Sequence, residues 1–182
     1  MKACCFTGYR PEKFPFKISA DTPEYTAFEN ELILAITSAF SDGYDTFYCG
    51  GAMGFDLIAA ELLLILRPRK NFRLVMALPY RAQNSNFSPE WRERYCSVLK
   101  QADEIVYVSD EYYKGCYSER NRYMVDRSER VIAFYDGKSG GTRDTVLYAK
   151  RKGAEVINVA KPEKENLNYT IFEVLETPEN EE

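Results

Sequence analysis

The 182-residue sequence contains no histidine. That absence excludes imidazole general acid–base chemistry, Ser–His and Cys–His nucleophile pairs, and His-ligated zinc. Cysteine is sparse: Cys4, Cys5, Cys49, Cys96 and Cys116 are odd in number, and no two have C-x-x-C spacing. Three of them sit in apolar, strand-like runs, where a thiol behaves as a small hydrophobe. A reducing compartment without a disulfide framework is expected. No apolar run approaches the roughly 18 residues of a membrane span. The run in "MKACCFTGYR" is too short for a signal peptide. The expected location is cytoplasmic, with no membrane partner. A strong positive charge is missing as well. The formal net charge is −4, and residues 161–182 alone carry seven Glu against two Lys. The body before them is therefore close to neutral, which makes duplex nucleic acid an unexpected partner.

What the chain does have is a globular composition, 45% hydrophobic and 14% aromatic. Its length fits one domain with an ordinary core. Strand-like and helix-like stretches alternate. Strands are expected in "ACCFTG", "DTFYCGG", "NFRLVMALP", "DEIVYVS", "RVIAFYDG" and "AEVINVA". Between them, Phe28, Leu32, Ile36 and Phe40 form one helical stripe, and "GFDLIAAELLLIL" is apolar almost all round. Ser88 reads as an N-cap before Pro89, Ser118 as a second cap, and Gly153 as a helix C′ residue. Trp91, Tyr95 and Leu99 share one helix face and read as core. The fold class is α/β: a Rossmann-like three-layer sandwich with a mainly parallel sheet. The domain is expected over residues 1–160, followed by an acidic extension over 161–182 whose end is frayed.

Two glycine-rich turns stand out. "YCGGAMGFD" places Gly50, Gly51 and Gly54 between a strand and a helix, with Asp56 in the first helical turn. "DGKSGGTRD" repeats the arrangement with Ser139, Gly140, Gly141 and Thr142. Glycine lets backbone amides approach an anion, and a helix N-terminus favours phosphate. The first turn reads equally as a tight strand-to-helix connection. Neither turn is a Walker A loop or G-x-G-x-x-G. In open α/β sheets ligands sit outside the carboxyl ends of strands. Other loops expected on that edge offer Thr7, Gly8, Arg10, Tyr80, Asn121 and Arg122. These residues, the glycines, Ser139 and Thr142 form the candidate ligand site, with Asp56 as an acceptor for ribose or base. Asp56, Glu119 and Asp144 are the candidate carboxylates for catalysis. No metal site is expected, and no cofactor beyond a nucleotide-derived ligand.

"TGYRPEK", "YCGGAMGFDLIAAE" and "RNRYMVDRSERVIAFYDGKSGGT", in that order, resemble the YpsA-like family of the SLOG superfamily. Relatives in that superfamily include the Lonely Guy phosphoribohydrolases and the DNA-processing protein A domain. The resemblance spans residues 1 to 160. It implies a Rossmann-like binder of a nucleotide or nucleotide derivative, with phosphate on the two glycine loops. The enzymatic relatives resemble P-G-G-x-G-T-x-x-E; counting from Thr142, Thr145 stands where their Glu would be. Hydrolysis by that route is not expected, and a sensor or ligand-binding module is. The alternatives are a hydrolase of an N-glycosidic or phosphoester bond in a nucleotide derivative, and a single-strand-binding or protein-interaction module. A homo-oligomer is open. Lys114, Arg120, Arg122, Arg127 and Arg130, interleaved with tyrosines and acids, read as a solvated mixed-charge helix face, with single-strand binding as the functional reading.

Overall fold

The computed structural model describes residues 2–160. The expected acidic extension, 161–182, lies outside the described residues. Six strands form one sheet: β1 (Lys2–Thr7), β2 (Tyr44–Cys49), β3 (Arg73–Leu78), β4 (Glu104–Tyr107), β5 (Arg130–Ala133) and β6 (Glu155–Asn158). Five helices connect them: α1 (Pro23–Ser41), α2 (Phe55–Leu66), α3 (Pro89–Gln101), α4 (Cys116–Val125) and α5 (Gly141–Arg151). The strand order is β4-β3-β2-β1-β5-β6, and every neighbouring pair is parallel. The expected α/β Rossmann-like sandwich is therefore present. Two one-turn 3-10 helices, Pro11–Lys13 and Gln83–Asn86, were not anticipated.

Alternation along the strands sorts side chains into two cores. Cys4, Phe6, Phe47, Leu74 and Met76 join Leu32, Ile36, Leu57, Leu63, Trp91 and Tyr95 on the α1–α2–α3 face. Cys5, Ala77 and Val131 point the other way, to Met124 of α4 and Ala149 of α5. Fully burying a Leu or Phe contributes about 1.5–3 kcal/mol, so the larger face carries most of the apolar stabilisation. All five cysteines are free; all but Cys96 are buried. Among the described residues no helix is long and apolar enough to cross a membrane.

Local signals mostly match. Ser88 occupies the N-cap position of α3 in extended geometry, but its hydroxyl makes no capping bond. Gly153 has φ +78°, and Ala154 N–H reaches back to Ala149 O, closing α5. Ser118 is not a cap: α4 starts earlier, behind Gly115. Arg120 and Arg130 do not lie on a solvated face, as both are buried. Arg130 sits between Asp42 (2.6 Å) and Glu155 (2.7 Å).

At the opposite side of the sheet, Arg67 clamps Asp103 (2.7 Å), which also accepts the Leu74 N–H. Arg67 holds the Asp103 carboxyl below its ordinary value, against the upward push of partial burial. A carboxylate depressed on folding stabilises fully above its unfolded pKa and loses that contribution as pH falls through the folded one. Both groups are about one-third exposed, so the contribution is about 1 kcal/mol or less. Asp103→Asn should therefore lower the unfolding midpoint at pH 7, and the gap should close on acidification below about pH 4. Thermal melts of both proteins across pH 2–7 check this; a gap that widens in acid contradicts it.

Candidate functional site

Strand order reverses direction between β1 and β5, and ligands of open α/β sheets bind in the crevice at such a point. A cavity of about 350 Å³ opens there. Thr7, Gly8 and Arg10 enter from the β1 loop, Lys13 from the turn after it, Asn121 from α4, and Gly141 and Thr142 from the start of α5. Asp56 and Arg120 lie at its base.

The β1 loop is held by aromatic packing. Phe14 stacks on Phe134, just past β5, with centroids 4.8 Å apart, and Phe28 meets both rings edge-on. Tyr9 hydroxyl donates to Asp136, and Asp136 N–H returns a bond at 3.2 Å. Thr142 hydroxyl donates to Gly8 O at 3.0 Å, tying the start of α5 to the β1 loop. The two loops that wall the crevice are thus fixed to each other.

The first glycine loop is packed by the protein itself. A Cβ on Gly50 would lie 1.7 Å from Arg120 Nη1. Gly54, at φ +87°, would bring a Cβ within 2.5 Å of Tyr9 O, the atom that accepts the Phe55 N–H. Gly51, at φ +65°, would meet Leu78, Met76 and Tyr95 at 3.0–3.2 Å. These three glycines therefore make room for protein atoms, and none of them is among the cavity walls. A Gly51→Val change probes the fold before it probes a ligand. In the second loop Gly140 lies beside Lys13, whereas Gly141 faces open space on the cavity wall. Ser139 is exposed away from that wall.

Asp56 is 5% exposed and Arg120 4%. Their closest N···O distance is 3.7 Å. Asp56 also accepts the Ala52 N–H at 3.3 Å. Burial pushes the Asp56 carboxyl above its ordinary value, and Arg120 pulls it back only in part. Arg120 Nη1 donates to Gly50 O, which Gln83 Nε2 also reaches at 3.2 Å. The far side of the guanidinium donates to Asn121 Oδ1 at 2.8 Å; Asn121 Nδ2 donates to Thr145 Oγ1 at 2.8 Å; Thr145 donates to Gly141 O at 2.7 Å. One polar chain therefore runs from α2 through α4 to the first turn of α5. Arg120 and Gln83 belong to polar segments expected on this edge of the sheet, but their burial is not legible in the sequence, because arginine and glutamine in polar stretches read as solvent-facing.

The remaining candidates separate. Glu119 is exposed and accepts a bond from Tyr113 hydroxyl. Tyr80 packs edge-on against Tyr112 and Tyr117 beside the crevice rather than in its wall. Arg122 and Asp144 line a second cavity, of about 490 Å³, between α4 and α5. Thr145, where the resemblance places a carboxylate in the enzymes, is buried with its hydroxyl committed to Asn121 and Gly141. Among the described residues no cluster of acids and thiols fits a metal ion.

The model of the YspA SLOG family (YpsA) matches residues 4–163. The uncharacterized SPbeta prophage-derived protein YoqJ of Bacillus subtilis (strain 168) is 32% identical over 118 residues, 58% of this chain and 69% of that protein. A UPF0398 protein of Bacillus cereus (strain G9842) is 24% identical over 161 residues, 87% of each. Among solved structures, DNA processing protein A from Helicobacter pylori superposes with a TM-score of 0.56 at 17% identity. That match covers 85% of this chain and 63% of the Helicobacter chain, and at such identity it shows the fold alone.

Proposed function

Because the chain belongs to the YspA SLOG family, we propose that it binds a nucleotide or nucleotide-derived ligand in the β1/β5 crevice and does not turn it over. The observation that carries this reading is the crevice itself, at the reversal of strand order, walled by Arg10, Lys13 and the first turn of α5. Two cationic side chains and unpaired helix N–H groups suit a phosphate. Tyr117, in the same wall, offers a ring face to a base, with Arg10 stacked 5.3 Å from its centroid.

The chemistry argues against hydrolysis. N-glycosidic cleavage develops positive charge at the sugar carbon and needs a carboxylate there. Thr145 supplies none, Asp56 is engaged by Arg120, and no imidazole assists a leaving base. A sensor or ligand-carrying module follows.

Gly141 gives the cleanest test. A Cβ there would meet no atom within 4 Å beyond its chain neighbours and its own helix backbone, and the Gly141 backbone is not left-handed. Gly141→Val should leave the unfolding free energy within about 1 kcal/mol of the parent, yet weaken adenosine 5′-monophosphate binding about tenfold or more by filling the wall. Calorimetry measures the affinity, and chromatography of the same mixtures for free adenine measures turnover. Unchanged affinity in Gly141→Val, or steady adenine release by the parent, defeats the proposal.

A second reading has one observation behind it. Tyr112 (64% exposed) extends the Tyr80–Tyr117 packing outward from the crevice, and Tyr113 (40% exposed) follows it in the chain. Exposed aromatic rows stack single-stranded bases, and the Helicobacter protein has a single-stranded DNA binding mode. Fluorescence anisotropy with a labelled oligothymidylate separates the readings: under single-strand binding, Tyr112→Ala weakens the oligonucleotide and leaves the mononucleotide alone.

A further inference from the structure

The crevice and the α4/α5 cavity adjoin. Tyr117, Asn121 and Gly141 belong to the walls of both. The crevice, about 350 Å³, is at the small end of the roughly 300–1,000 Å³ typical of small-molecule sites. The second cavity, about 490 Å³, is larger than the first. A ligand that fills only the crevice leaves the adjoining space empty.

The second cavity has its own charge pattern. Arg122 comes from α4 and Arg151 from the last turn of α5, against the single carboxylate of Asp144. Neither guanidinium belongs to an ion pair among the described residues. Both stand over one ring: Arg122 lies 5.6 Å and Arg151 5.9 Å from the Tyr148 centroid. That ring is itself anchored, since Tyr148 hydroxyl donates to Asp126 at 2.8 Å. Two cations thus lie beside a fixed aromatic surface, with Asp144 the single carboxylate in the cavity wall and in no ion pair with either among the described residues.

We infer that the ligand carries a second anionic group, seated by Arg122 and Arg151 between α4 and α5. It is then a nucleotide derivative of about dinucleotide size rather than a mononucleotide. This deepens the crevice reading and rests on it. The first phosphate lies by Arg10 and the start of α5. The ligand crosses the shared wall at Asn121 and Gly141. Its far portion lies along Tyr148, with its anionic group on the two arginines. The shared wall is rigid, because Asn121 is held on both sides by Arg120 and Thr145, so the two halves of the site keep a fixed spacing.

The test is calorimetry on the full chain in about 150 mM salt, where long-range charge effects are screened. The probes are adenosine 5′-monophosphate, ADP-ribose, and a 5′-phosphorylated adenine dinucleotide; the latter two place a second phosphate through different linkages. At least one extended probe should bind about tenfold tighter than the monophosphate. Arg151→Ala should remove that gain while leaving monophosphate affinity within about twofold. Lys150→Ala deletes the same charge one residue away, outside the cavity wall, and should change neither. Extended probes that bind no tighter than the monophosphate overturn the inference and spare the crevice reading. Equal losses for all probes in Arg151→Ala overturn it also. If no probe binds, monophosphate included, the crevice reading fails and this inference fails with it. Gain that appears only with oligonucleotides of many residues overturns it in favour of a strand-binding surface.

Discussion

Arg120→Ala is expected to lower folding stability by about 3–5 kcal/mol, the usual consequence of stranding one half of a buried ion pair. The stranded half is Asp56, 5% exposed. The loss should depend on pH in an unusual direction. Asp56 already has its pKa raised by burial, and removing Arg120 removes the main pull downward. A group whose folded pKa exceeds its unfolded pKa binds more protons when folded, so stability rises as pH falls across that interval. Arg120→Ala should therefore recover part of its deficit between neutral pH and about pH 4, where Asp56 takes up a proton. Arg120→Met combined with Asp56→Leu should be closer to the parent than Arg120→Ala, because no charge is left buried. Urea unfolding at several pH values measures all three. A deficit under about 1 kcal/mol, or one that grows in acid, shows that the pair is not buried as described.

Gly54→Val should cost a comparable amount, about 3–5 kcal/mol. Two penalties combine. A β-branched residue at φ +87° is strained by about 1–3 kcal/mol. Its Cβ would also sit 2.5 Å from a backbone oxygen, Tyr9 O, which cannot rotate aside and must shift with its loop. Because Tyr9 O also accepts the Phe55 N–H, the shift would pull the β1 loop off the start of α2. The contrast is Gly43→Val, at a similar φ of +81° but with open space around it, where only the backbone strain applies. Chemical denaturation of the two variants should separate them by about 1–3 kcal/mol. Equal losses would mean that the contact with Tyr9 carries nothing.

The sheet was legible because both of its periodicities are written in side chains. Cys4, Phe6 and Cys5 alternate between two cores, and Phe28, Leu32 and Ile36 repeat at helical spacing. The glycine loops were visible but their purpose was not. A sequence shows that Gly50 has no side chain; it does not show that Arg120, seventy residues later, occupies the vacated space. Arg120 itself was hidden for the same reason. In "YSERNRYMV" nothing distinguishes the buried arginine from the exposed Arg122 two places on, because burial here follows from how α4 lies over the ends of the strands. Thr145 was noticed as a missing carboxylate, yet its hydroxyl bonds to Asn121 and Gly141 depend on the α4–α5 approach.

The reversal of strand order also sets when the site comes into existence. Gly8 and Thr142 are 134 residues apart in the chain, and the hydrogen bond between them closes the crevice. During synthesis, β1 to β4 can pair in order, each with a neighbour already made. The crevice waits for β5, which inserts beside β1 only after most of the domain has emerged. Contacts of such sequence separation form late and slowly, since the intervening loop entropy must be overcome first. A nascent or truncated chain ending before β5 holds half the walls and no site. Ligand occupancy is consequently a report on completed folding, and a ligand that binds only the closed crevice draws late intermediates toward the native state by mass action.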